Sequence, residues 1–139
     1  MKFVSLLLLL TLTVSCNKNS VKIENIEKEI TRFSKLKDNQ LTKINIPSII
    51  ELDTIENDMK KITIKISNVG KVNLNPLIVR FHCQCVSSPI YDSILKPNET
   101  RLINVDFPID KKGNFSYPIW VYGNFYPYIK TIYVEGYRK

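Results

Sequence analysis

Lys61-Ile62-Thr63-Ile64-Lys65-Ile66-Ser67 alternates polar and apolar residues without a break. A strand with one buried and one wet face needs this period of two, so Ile62, Ile64 and Ile66 are assigned to a core. Asn68-Val69-Gly70 then supplies turn chemistry. The same period extends outward in both directions. Upstream, Ile44, Ile46, Ile49 and Leu52 read as a first strand, interrupted by Pro47 as an edge or a bulge would be. Downstream, Leu77, Val79, Phe81, Cys83 and Cys85 share one face of a third strand, while Ile78, Arg80, His82 and Gln84 share the other. Pro97-Asn98 marks a turn before Ile103, Val105 and Phe107, and Lys112-Gly113-Asn114 marks another before Phe115, Tyr117, Ile119 and Val121. A last strand holds Ile132 and Val134. Six or seven short strands with no helix between them predict an all-β fold, an antiparallel sandwich over residues 42–139.

The residues ahead of the sandwich read differently. Val21 or Ile23, Ile26, Ile30 and Phe33 recur at helical spacing, with Ser20 as a cap and Glu24 and Glu27 in the early turns. This predicts an amphipathic helix over 20–37 within a linker, residues 16–41. Its short apolar stripe suits packing on the domain, with a membrane surface or a partner interface as the other options. Asp38-Asn39-Gln40 ends the pattern.

Residues 1–15 form an export leader: Lys2, then Phe3-Val4-Ser5, Leu6 to Leu10, and small residues before Cys16. The apolar run is too short to span a bilayer permanently. Thr13-Val14-Ser15-Cys16 resembles a bacterial lipoprotein signal, which implies that Cys16 is acylated and becomes the first residue of the mature chain. An acyl chain contributes about 0.8 kcal/mol per buried methylene, so the domain would be held on a membrane without being embedded in it. Whether that membrane is the inner or the outer one stays open, with the domain facing the periplasm.

Removing residues 1–15 leaves one domain's length in a chain of 139. Charged residues at 24% and hydrophobic residues at 44% exclude wholesale disorder and a multispan membrane protein. The net charge of +7 is spread over single and paired lysines, with no basic run of five. An exported chain with dispersed lysines is not expected to bind nucleic acid; a solvated face that also tolerates anionic lipid is the plainer reading.

The pieces from Lys61 to Tyr137 resemble a known family when taken in order: Asn68-Val69-Gly70, Leu77, Cys83-Gln84-Cys85, Leu95-Lys96-Pro97-Asn98, Val105-Asp106-Phe107, Gly113-Asn114-Phe115 and Ile132-Tyr133-Val134-Glu135-Gly136. They look like the immunoglobulin-like domain called domain-of-unknown-function family 1573. Gln84 and Asn98 stand where that family usually has glycine. The resemblance implies an exported seven-stranded immunoglobulin-like sandwich, often behind a lipoprotein signal, and it implies no activity.

With Cys16 given to lipid, Cys83 and Cys85 remain as a pair in an oxidising compartment. Two residues along a strand separate α-carbons by about 6.6 Å, near the limit of about 6.8 Å for a relaxed bridge. A local disulfide, two buried thiols, and redox exchange or capture of a soft metal such as Cu(I) are the three readings.

Enzymatic readings are weak. His82 is the single histidine, and on a regular strand it faces away from both cysteines. A serine triad would need Ser87 or Ser88 to fold back onto it, and no nucleophile-elbow pattern is present. Glu51, Asp53, Asp92, Glu99, Asp106 and Asp110 sit mostly beside turns or on outward positions, where solubility explains them. The four glycines form no phosphate-cradling loop, and no cofactor is expected. Asn98-Glu99-Thr100 and Asn114-Phe115-Ser116 match a glycosylation sequon, a coincidence in a bacterial lipoprotein.

Ten of the fourteen aromatic residues fall in the last 33 positions. Trp120 and Tyr122 point away from the core side of their strand, and Phe125, Tyr126 and Tyr128 flank Gly123 and Pro127 in a loop. Trp120, Tyr122, Phe125 and Tyr126 are therefore candidates for binding a protein or a sugar ring; alternatively they cover the end of the sandwich and receive the helix. The sequence thus predicts a membrane-anchored, non-enzymatic envelope module with an unknown protein or glycan partner. A redox or soft-metal protein built on Cys83 and Cys85 is the alternative.

Overall fold

The computed structural model describes residues 23–81 and 94–139. Cys16, His82, Cys83, Cys85, Ser87, Ser88 and Asp92 lie outside the described residues, as do the leader and the start of the expected helix.

The polar/apolar alternation forms β3 (Met59–Asn68), with Ile62, Ile64 and Ile66 buried and the intervening Thr63 and Lys65 exposed. It pairs antiparallel with β5 (Thr100–Pro108), setting Ile64 beside Ile103 and Ile62 beside Val105. With β1 (Ile44–Asn45) on the other side of β3, these make a three-stranded sheet. The second sheet has the order β2 (Ile49–Glu51), β7 (Ile129–Arg138), β6 (Gly113–Tyr122), β4 (Ile78–Phe81). Isoleucine, valine, leucine and phenylalanine side chains from the inner faces of both sheets form the core, including Ile64, Phe107, Ile119 and Ile132. Each such side chain, once fully buried, stabilises the fold by roughly 2 kcal/mol. The molecule is an immunoglobulin-like β-sandwich preceded by a short helix.

Two expectations about the chain's path are corrected. The single first strand from Ile44 to Leu52 is two short strands in different sheets, because the chain crosses between layers at Ile46-Pro47-Ser48. The crossing costs one residue of register: Ile50 and Leu52 pack on the core, and Ile49 faces out at 47% exposure. Because the chain changes layers without turning back, β2 runs parallel to β7, so the second sheet is mixed and not wholly antiparallel.

The helix α1 covers Ile23–Phe33 in the described residues, shorter than the predicted 20–37 at its C-terminal end. Phe33 is fully buried there, and a turn leads into a 3-10 helix at Asp38–Gln40, where the Lys37 N–H donates to Gln40 Oε1 at 3.0 Å. Ile30 packs against Ile78 and Tyr122 on the outer face of the second sheet, so the helix docks on the domain. At the Pro97-Asn98 turn, Asn98 adopts the left-handed backbone (φ 65°) that asparagine tolerates.

Candidate functional site

The two outer faces of the sandwich differ in chemistry. On the three-stranded sheet, β3 and β5 match mainly polar residues across the register, with Leu102 beside Lys65 as an apolar exception at 61% exposure. Thr63 Oγ1 donates to Asn104 Oδ1 at 2.7 Å, Ser67 and Thr100 share a 2.8 Å hydrogen bond, and Lys61 lies 4.0 Å from Asp106. Polar side chains that satisfy one another this way form an ordinary solvated face.

The four-stranded sheet presents an apolar row instead. Ile49, Tyr133 and Pro118 are register neighbours across β2, β7 and β6. Tyr133 is 44% exposed, comparable to Ile49 beside it. Toward one end, the next outward row is Arg80, Trp120 and Thr131, beyond which α1 covers Ile78 and Tyr122. Toward the other, Glu51, Glu135 and Ser116 make a polar row, with Ser116 Oγ donating to Glu135 Oε1 at 2.9 Å. The Glu135 row borders an open hollow of about 860 Å³ that also involves Leu52, Phe115 and Tyr137. A few apolar anchors flanked by polar residues is the pattern of a protein-binding surface.

At the loop end of the sandwich, two buried asparagines hold the connections in place. Asn68 Nδ2 donates to the carbonyls of Val72 and Leu95, both at 2.8 Å, while its Oδ1 accepts from Thr42 Oγ1 at 2.6 Å and from the Gly70 N–H at 3.1 Å. Asn124 Nδ2 donates to the carbonyls of Gln40 and Asn73, and its Oδ1 accepts from the Asn75 N–H. Gly70 is required by close approach, since a Cβ there would fall 2.2 Å from Thr42 Oγ1 and 2.4 Å from Lys43 N.

Among the described residues, no three histidine, cysteine or carboxylate side chains group as metal ligands. The carboxylates serve local roles: Glu99 accepts from the Lys96 N–H, Glu56 pairs with Lys139, and Asp110 accepts from the Tyr117 hydroxyl. Glu51 and Asp53 are exposed. Burial first, and then the bond to Asp110, raise the Tyr117 phenol above its ordinary 10.0. Burial also raises Tyr122, against the opposing charge of Arg80.

The four aromatic candidates do not share one surface. Phe125 is 1% exposed and belongs to the main core, and its backbone bridges to that of Thr42. Tyr122 is buried against Ile78, beneath the helix. Trp120 is half-buried at the border of that cluster. Tyr126 alone is freely displayed, at 77% exposure. Phe125 and Tyr122 are thus corrected from binding residues to packing residues. Ile49 and Tyr133 were missed as surface anchors: the Pro47 crossing hid the first, and the second reads as the outward member of an ordinary strand. Cys16, Cys83 and Cys85 lie outside the described residues, so neither lipidation nor the state of the cysteine pair acquires a geometry.

A scan of family models matches residues 43–137 to "Protein of unknown function (DUF1573)". Solved structures add similarity of fold. A protein of unknown function from Porphyromonas gingivalis W83 superposes with a TM-score of 0.61 at 16% identity, over 76% of this chain and 50% of that one. The VesB protease of Vibrio cholerae gives 0.52 at 12% identity, over 81% of this chain and 34% of that one. A PapD-like domain of human CEP192 gives 0.49 at 12% identity, over 76% of this chain and 91% of that one. The chain therefore spans about half the length of the Porphyromonas protein and a third of the protease. No curated protein matches. The chain belongs to the DUF1573 family.

Proposed function

We propose that this member of the DUF1573 family is a lipid-anchored, non-enzymatic module of the bacterial cell envelope that docks a protein partner on its four-stranded sheet. The observation that carries this reading is the row Ile49, Tyr133 and Pro118, apolar neighbours across three strands on one outer face, where the other face has a lone exposed Leu102 among hydrogen-bonded polar residues. Rigid aromatic and aliphatic side chains on a strand lose little entropy on binding, and the flanking Arg80, Glu135 and Ser116 supply a polar rim. The leader and Cys16 support delivery to, and retention at, a membrane surface.

Combined Ile49→Ala and Tyr133→Ala substitutions should abolish the cross-linked product formed in intact envelopes while leaving thermal stability within about 0.5 kcal/mol, as expected of surface positions. Unchanged capture would remove the face as the docking site, and a glycan captured in place of a protein would reassign its ligand. The mass of the mature chain should equal residues 16–139 plus acyl groups. A free-thiol count with metal analysis on the same sample tests the competing reading in which Cys83 and Cys85 handle redox equivalents or a soft metal.

A further inference from the structure

The two ends of the sandwich differ in charge. The connections 34–43, 69–77, 94–99 and 123–128 meet at one end, which the register fixes by placing Ile44 beside Asn68, Ser67 beside Thr100, and Ile78 beside Tyr122. Among the described residues, these connections carry Lys35, Lys37, Lys43, Lys71 and Lys96, all exposed, against Asp38 and Glu99. Glu99 is partly occupied, accepting the Lys96 N–H at 2.6 Å. The opposite end, residues 52–58, 109–112 and 138–139, is balanced: Asp53, Glu56, Asp58 and Asp110 against Lys111, Lys112, Arg138 and Lys139.

The lysine end also displays apolar tips. Tyr126, Val69 at 55% exposure and Ile94 at 48% project from three different connections. Asn68 and Asn124 hold those connections from within, so lysines and tips are carried on fixed loops. Met59 is exposed near the other end, where acidic and basic residues are matched and no excess of lysine accompanies it.

We infer that the lysine-bearing loop end is a contact surface for anionic lipid head groups, which orients the domain on the membrane that holds it. Fixed lysines gain from the negative surface potential, while an aromatic and two aliphatic tips enter the head-group layer. The inference rests on the tether described under Proposed function, and the chain lengths permit it. The 11 residues of α1 rise about 16 Å. The six residues Asn17–Lys22 can reach about 20 Å when extended. A Cys16 anchor can therefore lie level with the loop end even if α1 leads directly away from it.

The test uses mature protein purified from its own envelopes and weighed by mass spectrometry. It is placed on vesicles of phosphatidylcholine alone or of phosphatidylcholine with phosphatidylglycerol, and amide hydrogen exchange is read. Protection of 69–72, 94–98 and 125–128 on the anionic vesicles only is expected. It should be lost in a Lys71→Gln/Lys96→Gln variant and retained in Lys111→Gln/Lys112→Gln, all four being exposed positions. Equal protection on neutral vesicles, protection of 53–58 and 109–112 instead, or no protection would overturn the inference. A mass without acyl groups would end the tether reading separately; the same protein added to preformed anionic vesicles should then still show the loop protection, and its absence would overturn the contact as well.

Discussion

Asn68 shows how much structure one buried amide can carry. Its side chain joins four partners on three connections, and it has no exposure to water. In Asn68→Ala the Val72 carbonyl and the Thr42 hydroxyl lose the amide as partner and, among the described residues, the Leu95 carbonyl keeps only the Leu74 N–H, which costs about 3 kcal/mol. Thermal unfolding should shift down by about 10 °C; a shift of a degree or two would mean that water reaches the network. Tyr117 gives a second, pH-dependent prediction. Its phenol holds a proton more tightly in the folded state than in the unfolded one. The associated stability is complete below the unfolded phenol's pKa, near 10, and is lost as pH rises toward the raised folded value. Phenolate absorbance should therefore show a late-ionising class that Tyr117→Phe and Tyr122→Phe each diminish, and the Tyr117→Phe protein should lose less stability in alkali than the parent.

At the scale of elements, the described side chains of α1 hold it through Ile30 on the Ile78–Tyr122 pair, with Phe33 buried at its end. Trp120, the chain's single tryptophan, borders the same cluster. Ile30→Ala should lower stability by about 1 kcal/mol, a partial version of a core truncation, and shift tryptophan emission to the red. Unchanged emission would detach the helix from this face. β3 and β5 are legible in the sequence because each keeps a strict period of two, and β6 and β7 because turn residues bound them and their core-facing residues recur at every second position. The split of the first strand is not, since a layer crossing at Pro47 is a tertiary event and the local pattern Ile44, Ile46, Ile49 resembles one interrupted strand. The loop Gly123 to Tyr128 is equally opaque: neighbours such as Phe125 and Tyr126 have no period to sort them, and one is buried while the other projects. The apolar row of Ile49, Pro118 and Tyr133 is not legible in the sequence because it is assembled across strands by register alone.

On the scale of the whole molecule, the described residues give the sandwich three chemically distinct surfaces: a mainly polar sheet face, a sheet face with one apolar row beside the docked helix, and a lysine-rich loop end. A lipid contact at the loop end would leave the apolar row to the side, free for a partner. The direct test of that assignment is a photo-cross-linking side chain placed at position 133 or, as a control on the opposite face, at position 63, followed by irradiation of intact envelopes. The account predicts one discrete cross-linked protein from position 133 and none from position 63. The same products from both faces, or none from position 133 with the protein folded and in place, would contradict it.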